Sequence, residues 1–356
     1  MQCHTPAPIS PRKVGMLIRA RAPLRLGLAG GGTDVSPYCD RFGGCVLNAT
    51  IDRFAYAALR PLDRPELVFT ATDRSATETL PLIDRLALDD GLFLHRAVYN
   101  EIVQTYNGGR PLPVELTTYC DAPVGSGLGS SSTIVVVMIR AFVELLNLPL
   151  DDYSIAQLAF KIERLDCKLQ GGRQDQYAAT FGGFNFMEFY EDDRAIINPL
   201  RIKNWVLCEL EASLLLFYTG ISRESAKIIA DQSQNVTGGD GKGLEAMHEV
   251  KQDAIRMKEC VLKGDFAGII QSMQDSWESK KRTAISVSNP VIEELFDAAI
   301  TAGASAGKIS GAGGGGFLAF FVPPERRTDV IVKLGEFPGS VSNCHFTGNG
   351  AEAWRV

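Results

Sequence analysis

Three spaced glycines and three consecutive serines stand together in Pro123-Val124-Gly125-Ser126-Gly127-Leu128-Gly129-Ser130-Ser131-Ser132-Thr133. A β-branched run, Val114 to Tyr119, precedes this stretch, and a long apolar run from Ile134 follows it. The order reads as strand, loop and buried helix. Glycines let a loop turn its N–H groups inward with no Cβ in the way, and a helix start presents unpaired N–H donors and a positive dipole end. Such a loop binds phosphate, so Pro123 and Gly125 through Ser132 are candidate nucleotide-binding residues. The three serines can cap the helix, and their hydroxyls can also reach a metal or a phosphate oxygen.

Two further glycine clusters lie beside polar residues. Gly30-Gly31-Gly32-Thr33-Asp34 ends an extended run, Leu17 to Ala29, that carries Arg25. Late in the chain, Gly311-Ala312-Gly313-Gly314-Gly315-Gly316 leads straight into the strand-like Phe317 to Val322. Its spacing matches the dinucleotide fingerprint, but a strand follows where that fingerprint needs a helix. None of the three loops has the ordinary P-loop spacing. A nucleophile elbow is also missing, and four histidines without convergent acids do not make a hydrolase triad.

Phosphoryl transfer asks little covalent chemistry of a protein: phosphate charge is neutralised, a metal held and the acceptor hydroxyl aligned. Asp175, on a short helix after Gly171-Gly172, suits a base for that hydroxyl, or equally a carboxylate satisfying the helix dipole. Glu163 suits a magnesium ligand, since that ion takes one or two carboxylates plus phosphate oxygens and waters; a solvated helix glutamate is the plainer alternative. Arg25 suits a cation beside the transferring group, or a strand-end ion-pair partner. Asp34 suits hydrogen bonding to a polyol, or a loop cap.

The rest of the chain bounds these readings. With 356 residues and 45% apolar content there is enough for two domains with full cores. A net charge of -6 and the lack of a basic tract exclude nucleic acid as a partner. No uncharged apolar run reaches membrane-spanning length and no signal-peptide pattern opens the chain, so a cytoplasmic protein without a membrane partner is expected. Eight scattered cysteines form no metal or redox pair and read as buried apolar residues.

In chain order, residues 1–16 read as a loose tail, 17–190 as one domain and 191–356 as a second. Extended runs are expected at Cys45 to Leu59, Glu66 to Thr72, Phe184 to Phe189 and Trp205 to Tyr218, with a helix over Leu92 to Tyr106. Ile155, Leu158, Ala159, Ile162, Leu165 and Leu169 form one helical stripe with Glu163 at its edge. Helical patterns dominate the second half, and Asn235 to Gly243 reads as its most mobile loop.

This set of motifs resembles the GHMP kinases, named for galactokinase, homoserine kinase, mevalonate kinase and phosphomevalonate kinase. The resemblance rests on Arg21-Ala22-Pro23-Leu24-Arg25-Leu26 through Asp34, on Pro123 through Ser132, and on Lys308-Ile309-Ser310-Gly311 through Phe317, in family order, and it spans residues 17 to 356. It implies an α+β, two-domain fold, with an N-terminal domain like ribosomal protein S5 domain 2, holding a left-handed crossover, and a ferredoxin-like C-terminal domain. ATP and a sugar would lie between them. Residue by residue, it implies Asp175 as catalytic base, Arg25 as the basic residue of the first motif, and Ser131 with Glu163 on Mg²⁺. Asp34 would contact the sugar, within a substrate site of Arg25, Gly31, Gly32, Thr33, Asp34, Gly172, Arg173, Asp175, Gly313 and Gly314.

Ala29-Gly30-Gly31-Gly32-Thr33-Asp34 departs from the galactokinase form of the first motif. With Gly172-Arg173-Gln174-Asp175-Gln176-Tyr177 and the four-glycine third motif, it resembles the family's heptose 7-phosphate kinases, which phosphorylate the anomeric hydroxyl in the route to GDP-heptose and surface polysaccharide. L-fucokinases share parts of this signature, and a silent sugar and nucleotide sensor on the same fold is the alternative of another class. The implied ligands are ATP, Mg²⁺ and a sugar phosphate, whose distal phosphate needs a cation among Arg173, Lys280, Lys281 and Arg282. A homodimer is left open.

Overall fold

The computed structural model describes residues 15–221, 225–238 and 241–356. Strand β1 (Ile18–Ala29), the one-turn helix α1 (Tyr38–Phe42) and the long strand β2 (Gly44–Pro61) come first, followed by β3 (Glu66–Ala71) and β4 (Ala76–Pro81). Helix α2 (Phe93–Glu101) then leads to β5 (Val114–Cys120), which runs parallel to β3, so the chain between them must cross over rather than turn back. Next come α3 (Ser130–Leu146), α4 (Asp152–Phe160), α5 (Gln174–Phe181), β6 (Phe184–Phe189) and β7 (Ala195–Pro199). The second half holds α6 (Asn204–Ser213), β8 (Leu214–Tyr218), α7 (Ser225–Gly238), α8 (Lys242–Lys263), α9 (Phe266–Thr283) and α10 (Pro290–Ala302). It closes with β9 (Ala306–Ile309), β10 (Phe317–Phe321), α11 (Arg327–Leu334), β11 (Ser340–Asn343) and β12 (Glu352–Arg355).

Two sheets organise these elements. The larger runs β12-β1-β2-β5-β3-β4, with β6 and β7 continuing from β2, and the smaller runs β11-β8-β10-β9. The expected division at residue 190 falls inside the β6–β7 hairpin, and β12 returns from the chain's end to pair with β1. Strand β2 shows why one strand can serve two neighbourhoods. From Phe54 onward it alternates between exposed or half-buried and buried residues, whereas Gly44–Ile51 is buried on both faces, where α5 and α8 cover it. Helix α3 is apolar all round from Ile134 to Ile139 and fully buried, the pattern of a central helix rather than a surface one.

The structure corrects several expected elements. Trp205 to Tyr218 is not one strand: its first part is α6, because Val206 and Leu210, four apart, supply a buried helical face. The loop expected from Asn235 is helical through Gly238, with Val236 buried against Tyr38 and Met247 and Asn235 Nδ2 donating to Thr283 O at 2.8 Å. Gly239 and Asp240 lie outside the described residues, as do residues 1–14 of the expected tail. After α4 the helix widens into a π turn over Lys161–Asp166. That register change breaks the expected stripe: Leu165 is 61% exposed, while Glu163 is fully buried. Among the described residues, no helix is long and apolar enough to cross a membrane.

Candidate active site

The second and third glycine loops, after β5 and β9, meet backbone to backbone, and β1 joins them through Arg25. A Cβ on Gly127 would sit 2.3 Å from Ser310 O, and one on Gly311 would sit 2.7 Å from Gly127 Cα. Only glycine permits that approach. Polar bonds lock the contact: Leu128 O accepts from Arg25 N at 3.1 Å, Gly127 O accepts from Ser310 Oγ at 2.9 Å, and Ser126 O accepts from Phe317 N at 2.9 Å. Arg25 Nη1 also donates to Gly127 O.

Above the junction opens a cavity of about 780 Å³. Val124, Gly125, Gly127, Gly129, Ser130 and Ser131 form its floor, leading to the start of α3. The serines do not cap that helix as expected. Their hydroxyls have other partners, Ser130 Oγ donating to Pro123 O at 3.1 Å and Ser131 Oγ to Glu163 Oε1 at 3.1 Å. Leu128, Ser126 and Ser132 are buried; Ser132 Oγ accepts from Gln176 Nε2 at 3.1 Å.

One end of the cavity is polar. Arg25, 4% exposed, holds Asp175 through Nε at 2.8 Å and Nη2 at 2.7 Å, and the Asp175 carboxylate remains partly open to the cavity. Asp34 fixes the helix that carries Asp175. Its Oδ2 accepts from Arg173 N at 2.9 Å and Gln174 N at 3.0 Å, and its Oδ1 accepts from Gln174 Nε2 and Gly32 N, both at 3.1 Å. Arg173 N and Gln174 N are orphan donors of the α5 N-terminus, capped by a residue from another loop. Gly172 packs so closely on Asp34 that a Cβ there would lie 1.9 Å from Oδ2.

Glu163 is the second buried acid. Its Oε1 takes the Ser131 hydroxyl, its Oε2 accepts from Gln176 Nε2 at 2.6 Å, and Arg164 Nη1 stands 3.7 Å from Oε1. A carboxylate and a hydroxyl, both hard oxygen donors and one lining the cavity, fit a magnesium ion that draws its other ligands from phosphates and water.

Other expected substrate residues are placed differently. Thr33 is fully buried and ties Gly30 O to Cys45 O. Arg173 pairs with Asp40 and Asp193 and donates to Tyr190 O, away from the cavity. Gly313 and Gly314 lie against Val287, with Gly314 N donating to Val287 O at 2.8 Å; Gly311 and Ala312 line the cavity instead. Gly31 presents its carbonyl to Lys280 Nζ at 3.2 Å, while Gly32 and Gly172 do line the cavity.

The structure gives places to residues for which the motifs assigned no role. Lys280, on α9, reaches the polar end, where burial holds its ammonium down to about 8, with Asp34 opposing that shift and Arg25 reinforcing it. Its signal is helical spacing: Met273, Ser276, Trp277, Lys280 and Thr283 share the buried face of α9. Lys308 is also buried, donates to Gly27 O and Leu28 O at 2.8 and 3.0 Å, and is pushed well down by burial and by Lys280 and Arg25. At the opposite, apolar end, Leu92, Phe93, Leu94 and Ile134 surround His95. Burial pushes that imidazole down to about 4, with Arg74 adding to the effect, and its Nε2 pairs with Thr118 Oγ1 at 2.9 Å.

Models of known families match both halves: the GHMP kinases N terminal domain over residues 94–183 and the GHMP kinases C terminal over 257–338. The D-glycero-alpha-D-manno-heptose 7-phosphate kinase of Campylobacter jejuni is 48% identical over 339 residues, covering 95% of this chain and 99% of that protein. A crystal structure of a D-glycero-D-manno-heptose 1-phosphate kinase from Bacteroides thetaiotaomicron superposes with a TM-score of 0.81 at 42% identity, covering 95% of this chain and 99% of the other. Lactococcus lactis galactokinase, crystallised with galactose, has the same fold (TM-score 0.74, 17% identity, 94% and 95% covered). The chain belongs to the GHMP kinases, enzymes that transfer phosphate to an alcohol group.

Proposed function

We propose that this chain transfers the γ-phosphoryl group of ATP to O1 of D-glycero-D-manno-heptose 7-phosphate, giving the 1,7-bisphosphate for GDP-heptose and surface polysaccharide synthesis in the cytoplasm. The observation that carries the reading is the Arg25–Asp175 pair, a carboxylate held by two guanidinium nitrogens at the cavity end beside the serine loop. The name and 48% identity of the Campylobacter relative support the choice of sugar.

ATP would place its base among the apolar residues around His95 and its phosphates over the N–H groups of the serine loop. Asp175 then accepts the O1 proton as the O1–P bond forms and the bond from phosphorus to the β-phosphate bridging oxygen breaks, releasing ADP. Arg25 fixes the carboxylate and offsets negative charge developing between donor and acceptor. Glu163 and Ser131 would hold Mg²⁺, which when bound neutralises charge on the β- and γ-phosphates. The Asp34 cap keeps Asp175 at one position and pitch.

The names of the relatives put the resident phosphate at different ends of the heptose, so the test is regiochemical. Mg-ATP is incubated with D-glycero-D-manno-heptose 7-phosphate, the 1-phosphate, the free heptose, L-fucose and D-galactose, with ADP release followed and the product examined by ³¹P NMR. Turnover of the 7-phosphate to an anomeric phosphate is expected. Preference for the 1-phosphate, fucose or galactose would overturn the acceptor, and binding of both ligands without ADP release would point to the sensor.

A further inference from the structure

A sugar that already carries a phosphate brings about two negative charges into a cavity that must also take ATP. Four cationic side chains line that cavity: Arg25, Arg74, Arg164 and Lys280. Arg25 is neutralised by Asp175. Arg164 is turned to Gly172 O at 3.3 Å and to Glu163. Arg74 belongs to the apolar end, where its charge bears on His95.

Lys280 differs from all three. An ammonium has three donors, and Lys280 spends two on carbonyls, Gly31 O at 3.2 Å and Gly311 O at 2.6 Å. It has no ion-pair partner within 4 Å among the described residues. Asp34 is near enough to influence it, but both Asp34 oxygens already accept from four N–H groups. The neighbours Lys281 and Arg282 cannot substitute for it, because they pair with Glu278 and Glu293 and with Glu249 outside the cavity. Burying an unpaired ammonium is costly, so a site that keeps one is built for an anion.

Building on the proposed acceptor, we infer that Lys280 receives the phosphate already present on the sugar and is the residue that makes the enzyme prefer a phosphorylated heptose to the free one. The dianion supplies the missing counter-charge and accepts the third N–H, a charge-assisted bond. The charged groups around the amine are Arg25 on β1, Asp34 in the loop after it, Lys308 on β9 and Asp175 on α5, with Asp253 on α8 behind Lys308. Arg25 is balanced by Asp175, Asp34 favours the protonated amine, and burial, the larger effect, holds it down to about 8. At pH 8 the free enzyme therefore carries Lys280 part-protonated, and an arriving dianion draws the rest of that proton from solution.

The test compares wild type, K280M and K280R. The ratio of kcat/KM for heptose 7-phosphate to that for free heptose is expected to fall about a hundredfold in K280M and less than about tenfold in K280R. An unchanged ratio, with both sugars losing equally, would make Lys280 a purely structural residue and overturn the inference. Calorimetry with inorganic phosphate, in the presence of ADP to occupy the nucleotide loop, adds a readout independent of the acceptor. Wild type at pH 8 is expected to take up protons on binding, and K280M to lose both binding and uptake; equal phosphate binding by the two proteins overturns the assignment. Wild-type preference for free heptose would instead overturn the proposed acceptor, and the phosphate titration would still decide on Lys280. Replacing a buried charge with an isosteric thioether removes a desolvation cost, so K280M is expected to fold.

Discussion

Asp34 Oδ2 accepts the backbone N–H of Gln174 at 3.0 Å across 140 residues of sequence, so the first-motif loop caps the helix on which Asp175 sits. The same oxygen takes Arg173 N, and Gly172 leaves just enough room for the carboxylate. A helix cap is ordinarily local, supplied by the residue before the first turn. Here it comes from the loop after β1, the strand that also supplies Arg25, and Arg25 holds the Asp175 side chain. One loop and one strand thereby fix both the backbone and the carboxylate of the same residue.

Asp34→Asn tests that coupling. An amide cannot accept all four donors, and losing charge-assisted bonds to buried N–H groups is expected to cost roughly 2–4 kcal/mol. Urea unfolding should show the loss, and kcat should fall with it because Asp175 is no longer held at one pitch. An Asp34→Asn protein that unfolds with wild type would mean that the α5 N-terminus finds another cap.

Asp175→Asn removes the proton acceptor and keeps the shape. Turnover is expected to fall about a thousandfold, the range for a general base, with the KM for ATP little changed because the serine loop is untouched. Steady-state kinetics with the preferred sugar decide it. A rate within tenfold of wild type would remove Asp175 from that role.

How legible this site was depended on whether chemistry or packing set each residue's place. The three loops stood out because a glycine required for close approach, as at Gly127 against Ser310, leaves a mark in composition. Asp175 stood out because it follows Gly171-Gly172. Glu163 looked like a surface glutamate because a helix of uniform pitch puts it at the stripe's edge, and only the π turn over Lys161–Asp166 turns it inward. Lys280 was one of three adjacent cations of similar type, and nothing but the buried face of α9 separates it from Lys281 and Arg282. Trp205 to Ser213 read as a strand for a related reason, since an apolar run with a half-buried face satisfies either period when read alone. The cap by Asp34 could not be read locally, as its partners lie in a distant segment.

Glu163→Gln probes the other acid. The amide keeps an acceptor toward Ser131 but loses the charge that suits a divalent cation, and its NH₂ group competes with Gln176 Nε2 for space. The magnesium concentration for half-maximal activity is expected to rise about 10- to 100-fold. Binding of Mn²⁺ in the presence of ATP, followed by its paramagnetic resonance signal, should weaken in parallel. Unchanged metal binding would place the ion elsewhere.

His95 gives the fold an acid sensitivity of calculable sign. Its ordinary value is 6.5, and burial beside Arg74 pushes it down to about 4. A base with a depressed folded value binds its proton more weakly in the native state than in the unfolded chain. Between pH 6.5 and 4 the unfolded chain is therefore the better proton binder, and stability falls as pH falls through that window. The fall from 6.5 to about 4, at about 1.4 kcal/mol per tenfold, sets the full loss near 3 kcal/mol. Carboxylates titrate over part of the same range, so the difference between wild type and His95→Gln is the quantity to measure. Gln keeps a donor or acceptor toward Thr118 Oγ1 and has no proton to gain. Urea midpoints at pH 7, 6, 5 and 4.5 are expected to converge or cross as wild type loses stability faster than the variant. Parallel profiles would mean that the imidazole charges in place, with water reaching the apolar end of the cavity.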